Sequence, residues 1–121
     1  MKVDILAGGS GGNCIAVRSG STVILIDAGI PKTKIERRLL EAGIRPDEIR
    51  AILITHAHAD HIKGLSIANK YKIPVYASDG EWKSIMFVDE ELRNALEPYQ
   101  YHYLFSYTVV TPFQTHHDAY D

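Results

Sequence analysis

The segment that most restricts how this chain can fold is Ala51-Ile52-Leu53-Ile54, together with the residues directly after it. The run is uniformly apolar rather than alternating, the pattern of a central strand covered on both faces. Beyond it, His56-Ala57-His58-Ala59-Asp60-His61 places three imidazoles and a carboxylate within six positions. Ile62, Leu65, Ala68 and Tyr71 then recur at helical spacing, which predicts an amphipathic helix immediately beyond. The polar cluster therefore belongs on a strand-to-helix turn, held rigid by a buried strand.

The rest of the chain reads as an α/β arrangement around that strand. Val3 to Leu6, Cys14 to Arg18 and Thr22 to Asp27 are short β-branched runs separated by Gly8-Gly9-Ser10-Gly11-Gly12-Asn13 and Ser19-Gly20-Ser21, and predict three antiparallel strands. Thr33-Lys34-Ile35-Glu36 has the form of a capping box, with Ile35, Leu39 and Leu40 on one helical face and Gly43 ending the helix. Pro74-Val75-Tyr76-Ala77 predicts a strand, Glu81 to Leu96 a helix with a break near Val88, and Tyr107 to Phe113 a last strand.

Composition limits the function classes. At 121 residues the chain is one domain at most, and 45% hydrophobic with 23% charged residues is ordinary for a globular protein. A formal net charge of -2 gives no basic surplus, so any contact with nucleic acid has to come from a local site. The lone Cys14 rules out an internal disulfide framework. Neither a basic-then-apolar leader nor a membrane-length apolar stretch is present, so the expectation is a soluble cytoplasmic protein without a membrane partner.

Imidazole and carboxylate donors at this density suit one or two divalent ions, zinc first, with manganese or iron as alternatives. On an extended turn alternate positions point the same way, so His56 and His58 can grip one ion while the chain curls to aim Asp60 and His61 at a second. Two such ions would share a water made nucleophilic near neutral pH.

Thr55 to His61 resembles the signature of the metallo-β-lactamase superfamily. Leu25-Ile26-Asp27-Ala28-Gly29 is similar to that family's strand ending in an Asp-x-Gly turn, which implies that Asp27 supports the metal ligands from behind. Thr111 to Asp118 resembles the next family motif, a strand delivering one further histidine to the first ion. Neighbours on a strand face opposite ways, so one of His116 and His117 is expected to serve, and the triplet His117-Asp118-Ala119 favours His117.

The opening loop Gly9 to Cys14, His61-Ile62-Lys63-Gly64-Leu65, Pro74 to Ala77 and the His-Asp-Ala triplet look like the branch of bacterial phosphodiesterases and single-domain DNA exonucleases. This resemblance implies a metal-dependent hydrolase of a phosphodiester or nucleic-acid substrate, with Asp60 holding or orienting the second ion and the attacking water. Hydrolysis of a thioester or lactam on the same fold, or an inactive metal-binding module, are the alternatives. The glycines of the opening loop either admit a phosphate to bare backbone N-H groups or shape a tight hairpin.

The family is an αββα sandwich of two similar halves, and residues 1–121 correspond to the N-terminal half. Its later bridging aspartate and final histidine have no counterpart here. A half-sandwich leaves one sheet face bare, so the expectation is a fragment, or a chain whose open face is covered by a second copy or a complementing chain. Three further features are read as structural: Cys14 as a small core residue, His102 among its neighbouring tyrosines as strand packing, and the mixed charges from Lys34 to Glu41 as a solvated helix face.

Overall fold

A computed structural model of the chain describes residues 1–100, 102–105 and 108–111. Six strands form one sheet in sequence order: β1 (Lys2–Ala7), β2 (Cys14–Ser19), β3 (Thr22–Ile26), β4 (Ile49–Leu53), β5 (Val75–Ser78) and β6 (Arg93–Leu96). The first three pair antiparallel across short glycine-bearing turns, as expected. From β3 onward the pairing is parallel. Parallel neighbours need crossover connections. These are supplied by α1 (Lys32–Glu41), then α2 (Ala59–Ile62) with α3 (Ile67–Tyr71), then α4 (Asp79–Trp82). A separate hairpin joins β7 (His102–Phe105) to β8 (Thr108–Val110), which lies within the strand expected over 107–113.

Register sorts the side chains onto two faces. Ala16, Leu25, Ile52 and Val75 align across β2 to β5, and all four are fully buried in one cluster with Ile35 and Leu39 of α1 and with Leu65, Ile67 and Ala68. Each large apolar side chain sequestered in this way contributes about 1.5–3 kcal/mol. On the opposite face Ile5, Ile15, Ile26, Leu53 and Tyr76 align, and exposure there reaches 72% at Ile5 and 54% at neighbouring Val3. In β4 the consecutive residues Ala51 and Ile52 point to opposite faces and both are at 0% exposure, which is the burial its uniform run predicted.

Three sequence expectations are corrected. Helix α1 starts from Pro31 and not from Thr33: the Pro31 carbonyl accepts the amides of Lys34 and Ile35 at 2.9 and 3.0 Å, and no side chain caps the first turn. Its C-terminus does end at Gly43, whose φ of 77° lets the Gly43 and Ile44 amides close back on Leu40 and Leu39. The single helix expected after the histidine cluster is split into α2 and α3, because the Gly64 amide leaves the helical ladder to bond the Ala28 carbonyl at 2.7 Å.

The long helix expected over Glu81 to Leu96 is replaced by α4, a 3-10 turn at Glu90–Leu92, and β6. Pairing with the open edge of β5 outweighs the local helix propensity of this segment. The Arg93 guanidinium fastens the intervening loop by donating to the carbonyls of Val88 and Met86. Among the described residues no helix is long and apolar enough to cross a membrane.

Candidate metal centre

Three adjacent parallel strands end at the same edge of the sheet. Asp27 follows β3, Thr55 to His61 follow β4, and Glu81 lies just past the end of β5. The carboxyl ends of parallel strands are where open α/β sheets place their ligands.

Asp27 is the base of this edge. It is 4% exposed, the one buried charged residue among those described, with a left-handed φ of 62°. A carboxylate taken out of water is tolerated only when its lone pairs are filled. Here Oδ1 accepts the Thr55 amide at 2.8 Å, while Oδ2 accepts the Thr55 hydroxyl at 2.6 Å and faces His61 Nδ1 at 2.8 Å. A carboxylate in that position accepts a hydrogen bond from Nδ1–H, which fixes the ring and leaves the lone pair on Nε2.

His61 Nε2 stands 3.5 Å from Asp60 Oδ2. Two ligand atoms each about 2.1 Å from one tetrahedral zinc ion lie about 3.4 Å apart, so this pair already has the spacing of co-ligands. The His56 ring centroid is 5.1 Å from that of His61 and 6.0 Å from that of His58. Thus all four ligands predicted between positions 56 and 61 share one rim, with His58 exposed and the Asp60 side chain 42% exposed. Among the described residues no three such side chains are already gathered as a complete ligand set. His117, and the choice between it and His116, lie outside the described residues. The donors that are described, imidazole nitrogen and carboxylate oxygen with a carboxylate orienting one ring, fit a divalent ion.

The glycine-rich opening loop is sewn to this rim by backbone. The Asn13 amide donates to the Asp60 carbonyl at 2.7 Å, the Gly29 amide to the Asn13 carbonyl at 2.8 Å, and the Ala28 amide to the His61 carbonyl at 2.7 Å. Such close approach demands glycine: a Cβ on Gly29 would lie 1.8 Å from the Asp60 carbonyl oxygen, and one on Gly12 would lie 2.3 Å from that of Gly29. Cys14, next in the chain, is wholly buried, and its thiol is pushed up to about 12 by burial first and by the charge of Asp27 second. It is a protonated core residue, as its sequence position implied.

One contact was not foreseen. The amide of Ala57, between His56 and His58, donates to Glu81 Oε2 at 2.6 Å. The available signal was Ser78-Asp79-Gly80-Glu81, a capping pattern directly after a strand. Ser78 does cap α4, its hydroxyl accepting the Glu81 amide at 3.4 Å, but the glutamate side chain reaches across to the histidine loop.

Comparison with known proteins identifies the family and the fold. Residues 7–118 match the sequence profile of the metallo-beta-lactamase superfamily. Exodeoxyribonuclease WalJ of Streptococcus pneumoniae serotype 2 is 40% identical over 85 residues, covering 69% of this chain and 32% of that protein. Exodeoxyribonuclease YycJ of Bacillus anthracis is 39% identical over 86 residues, covering 70% of this chain and 33% of that protein. The chain thus spans about a third of the length of these curated relatives. A B3 metallo-β-lactamase of solved structure superimposes with a TM-score of 0.72 at 19% identity, over 84% of this chain and 45% of that one, so the fold described above is about half of that architecture. With a profile match over nearly its whole length and a histidine loop set on an Asp-x-Gly turn, the chain belongs to the metallo-β-lactamase superfamily.

Proposed function

We propose that this chain supplies the ligand-bearing half of a metal-dependent phosphodiesterase or nuclease. The observation that carries this reading is the line Asp27, His61, Asp60: a buried carboxylate locks an imidazole whose free nitrogen faces a second carboxylate at 3.5 Å. The two exodeoxyribonucleases, similar over most of this chain, support a nucleic-acid substrate.

In this reading His56, His58 and His117 hold one divalent ion, and Asp60 and His61 hold a second. Zinc is favoured, with manganese or iron as alternatives; bound there, the ions would neutralise charge developing on phosphate oxygens and make water acidic enough to attack at neutral pH. Asp60, the half-exposed member, also orients the attacking water. Asp27 keeps the His61 ring from turning, and Thr55, bonded twice to Asp27, fixes the start of the loop. A net charge of -2 offers no long-range pull on nucleic acid, so the substrate is gripped at the rim itself. A single cysteine, Cys14, offers no internal disulfide within these residues, which is in keeping with a reducing compartment, the cytoplasm.

The same reading has the chain contribute one half of the αββα sandwich. The open face bearing Val3 and Ile5 is then covered by further polypeptide or by a second chain. Gel filtration with light scattering tests the latter, and a well-behaved monomer of 13.5 kDa counts against a covering partner in solution.

For the activity, cleavage of bis-p-nitrophenyl phosphate and of 5′-phosphorylated DNA is measured with manganese or zinc, for the wild type and for His58→Ala. Cleavage that depends on metal and vanishes in the variant is expected. Turnover of a thioester or lactam, with neither phosphodiester cleaved, sinks the phosphodiesterase reading in favour of another hydrolase on this fold.

A further inference from the structure

We infer that Glu81 is a positioning residue for the metal-ligand loop, its carboxylate fixing the Ala57 amide and thereby the relative placement of His56 and His58. This rests on the proposed metal site.

Ala57 lies between the two histidines, and its amide donates to Glu81 Oε2 at 2.6 Å. A carboxylate accepting a backbone N-H at this length makes a charge-assisted bond, about twice as strong as a neutral one. Asp27 and Thr55 secure the beginning of the loop, and the His61 and Ile62 amides bond back to the His58 carbonyl at its end. Between those anchors, Glu81 holds the main chain of the H-x-H segment.

The element carrying Glu81 is built to keep it still. Helix α4 is four residues long, too short to be stable by itself. It is capped by Ser78 at one end, and at the other the Trp82 indole donates to the Asn94 carbonyl at 2.8 Å while Arg93 lies 5.3 Å over the Trp82 ring. The strands β5 and β6 thus grip the helix from both sides. The Glu81 side chain is half-buried, so its rotamer is confined and its pull on Ala57 is steady.

The test measures zinc and cobalt(II) affinity by titration, the visible spectrum of the cobalt form, and the metal-free melting temperature. The proteins compared are wild type, Glu81→Ala, Glu81→Gln and, as the ligand-loss control, His58→Ala. Glu81→Ala is expected to weaken metal binding by about tenfold, the lower end for losing a group that orients ligands, and to alter the cobalt spectrum. Its metal-free melting temperature should stay within a few degrees of wild type, about what one lost hydrogen bond moves in a chain of this size. Glu81→Gln keeps an acceptor oxygen and is expected to stay within about threefold of wild type, since a neutral bond retains roughly half the strength.

Should Glu81→Ala be unstable, Glu81→Met removes the acceptor while keeping the packing stem. Equal affinity in wild type and the acceptor-less variant overturns the inference and leaves the metal site standing. Equal weakening in Glu81→Gln and Glu81→Ala also overturns it, because the negative charge and not the hydrogen bond would then be required. A wild type that binds neither ion while folded removes both this inference and the function it rests on.

Discussion

The base and the rim of the candidate metal centre are built by opposite rules. At the base, Asp27 is almost fully buried, both of its oxygens are used, and its partners Thr55 and His61 are drawn onto it from the loop after β4 and from α2. At the rim, His58 is exposed, the Asp60 side chain is 42% exposed, and the rings of His56 and His58 stand 6.0 Å apart. The base is organised by buried side chains; at the rim the main chain is held at Ala57 while the side chains of His58 and Asp60 stay open to solvent. Substitutions at the base should therefore cost stability, and those at the rim should cost binding.

The sharpest way to break this division is at the seam joining the two. Gly29→Ala puts a methyl group where the Asp60 carbonyl oxygen already lies, 1.8 Å away, and backbone has no rotamer to yield. A loss of more than about 3 kcal/mol in urea unfolding is expected. A soluble variant with wild-type stability would show that base and rim are not rigidly joined.

Asp27 comes next. Asp27→Ala leaves the Thr55 amide and His61 Nδ1 without their acceptor and puts alanine at a φ of 62°, for a combined loss of about 3 kcal/mol. Asp27→Asn tolerates the left-handed backbone and retains an acceptor, so about half that loss is expected on the same denaturant curves. Equal losses in the two variants would mean that charge, rather than hydrogen bonding, holds the base together.

At the rim, His58→Ala should shift metal-free stability by no more than about 0.5 kcal/mol, as for an exposed side chain away from packing, while abolishing the rise in melting temperature expected of the wild type on adding zinc. A large loss without metal would erase the distinction between the regions.

The smallest effect lies away from both. Glu36 on α1 accepts from Lys70 Nζ at 2.6 Å and from the Tyr71 hydroxyl of the following helices, and these bonds, the Lys70 bond first, hold its carboxyl below the ordinary 4.5. A lowered carboxyl contributes stability above its unfolded-state value and loses it as pH falls through the folded one. Wild type and Glu36→Gln should therefore differ slightly at pH 7 and converge on acidification below about pH 4.5, as followed by thermal melts. Curves that stay parallel to pH 2 would remove Glu36 from the acid response.

The residues legible in sequence were those whose roles depend on near neighbours in the chain. The uniform run at Ala51 to Ile54 announced β4, the glycine turns announced the hairpins of β1 to β3, and the density of donors at 56–61 announced the rim. Asp27 was legible through the resemblance of its Asp-x-Gly turn, and its contacts with Thr55 and His61 fit that role. The long-range arrangement was not legible. Whether Arg93–Leu96 is helix or strand depends on the free edge of β5, and whether the helix after His61 breaks depends on Ala28, more than thirty positions away. Glu81 was hidden for the same reason, because a capping pattern tells where a helix begins but not which distant amide its glutamate will meet.

Cys14 sits one residue past Asn13, whose amide and carbonyl stitch Asp60 to Gly29, and its sulfur has no exposed surface. A thiol so placed meets a modifying reagent only when the packing around it opens, and with its pKa raised to about 12 by burial it stays protonated while that packing is closed. The chain thereby carries a native clock for its own breathing: the rate at which a thiol-specific probe enters counts how often the core around Cys14 opens, without any label being engineered in.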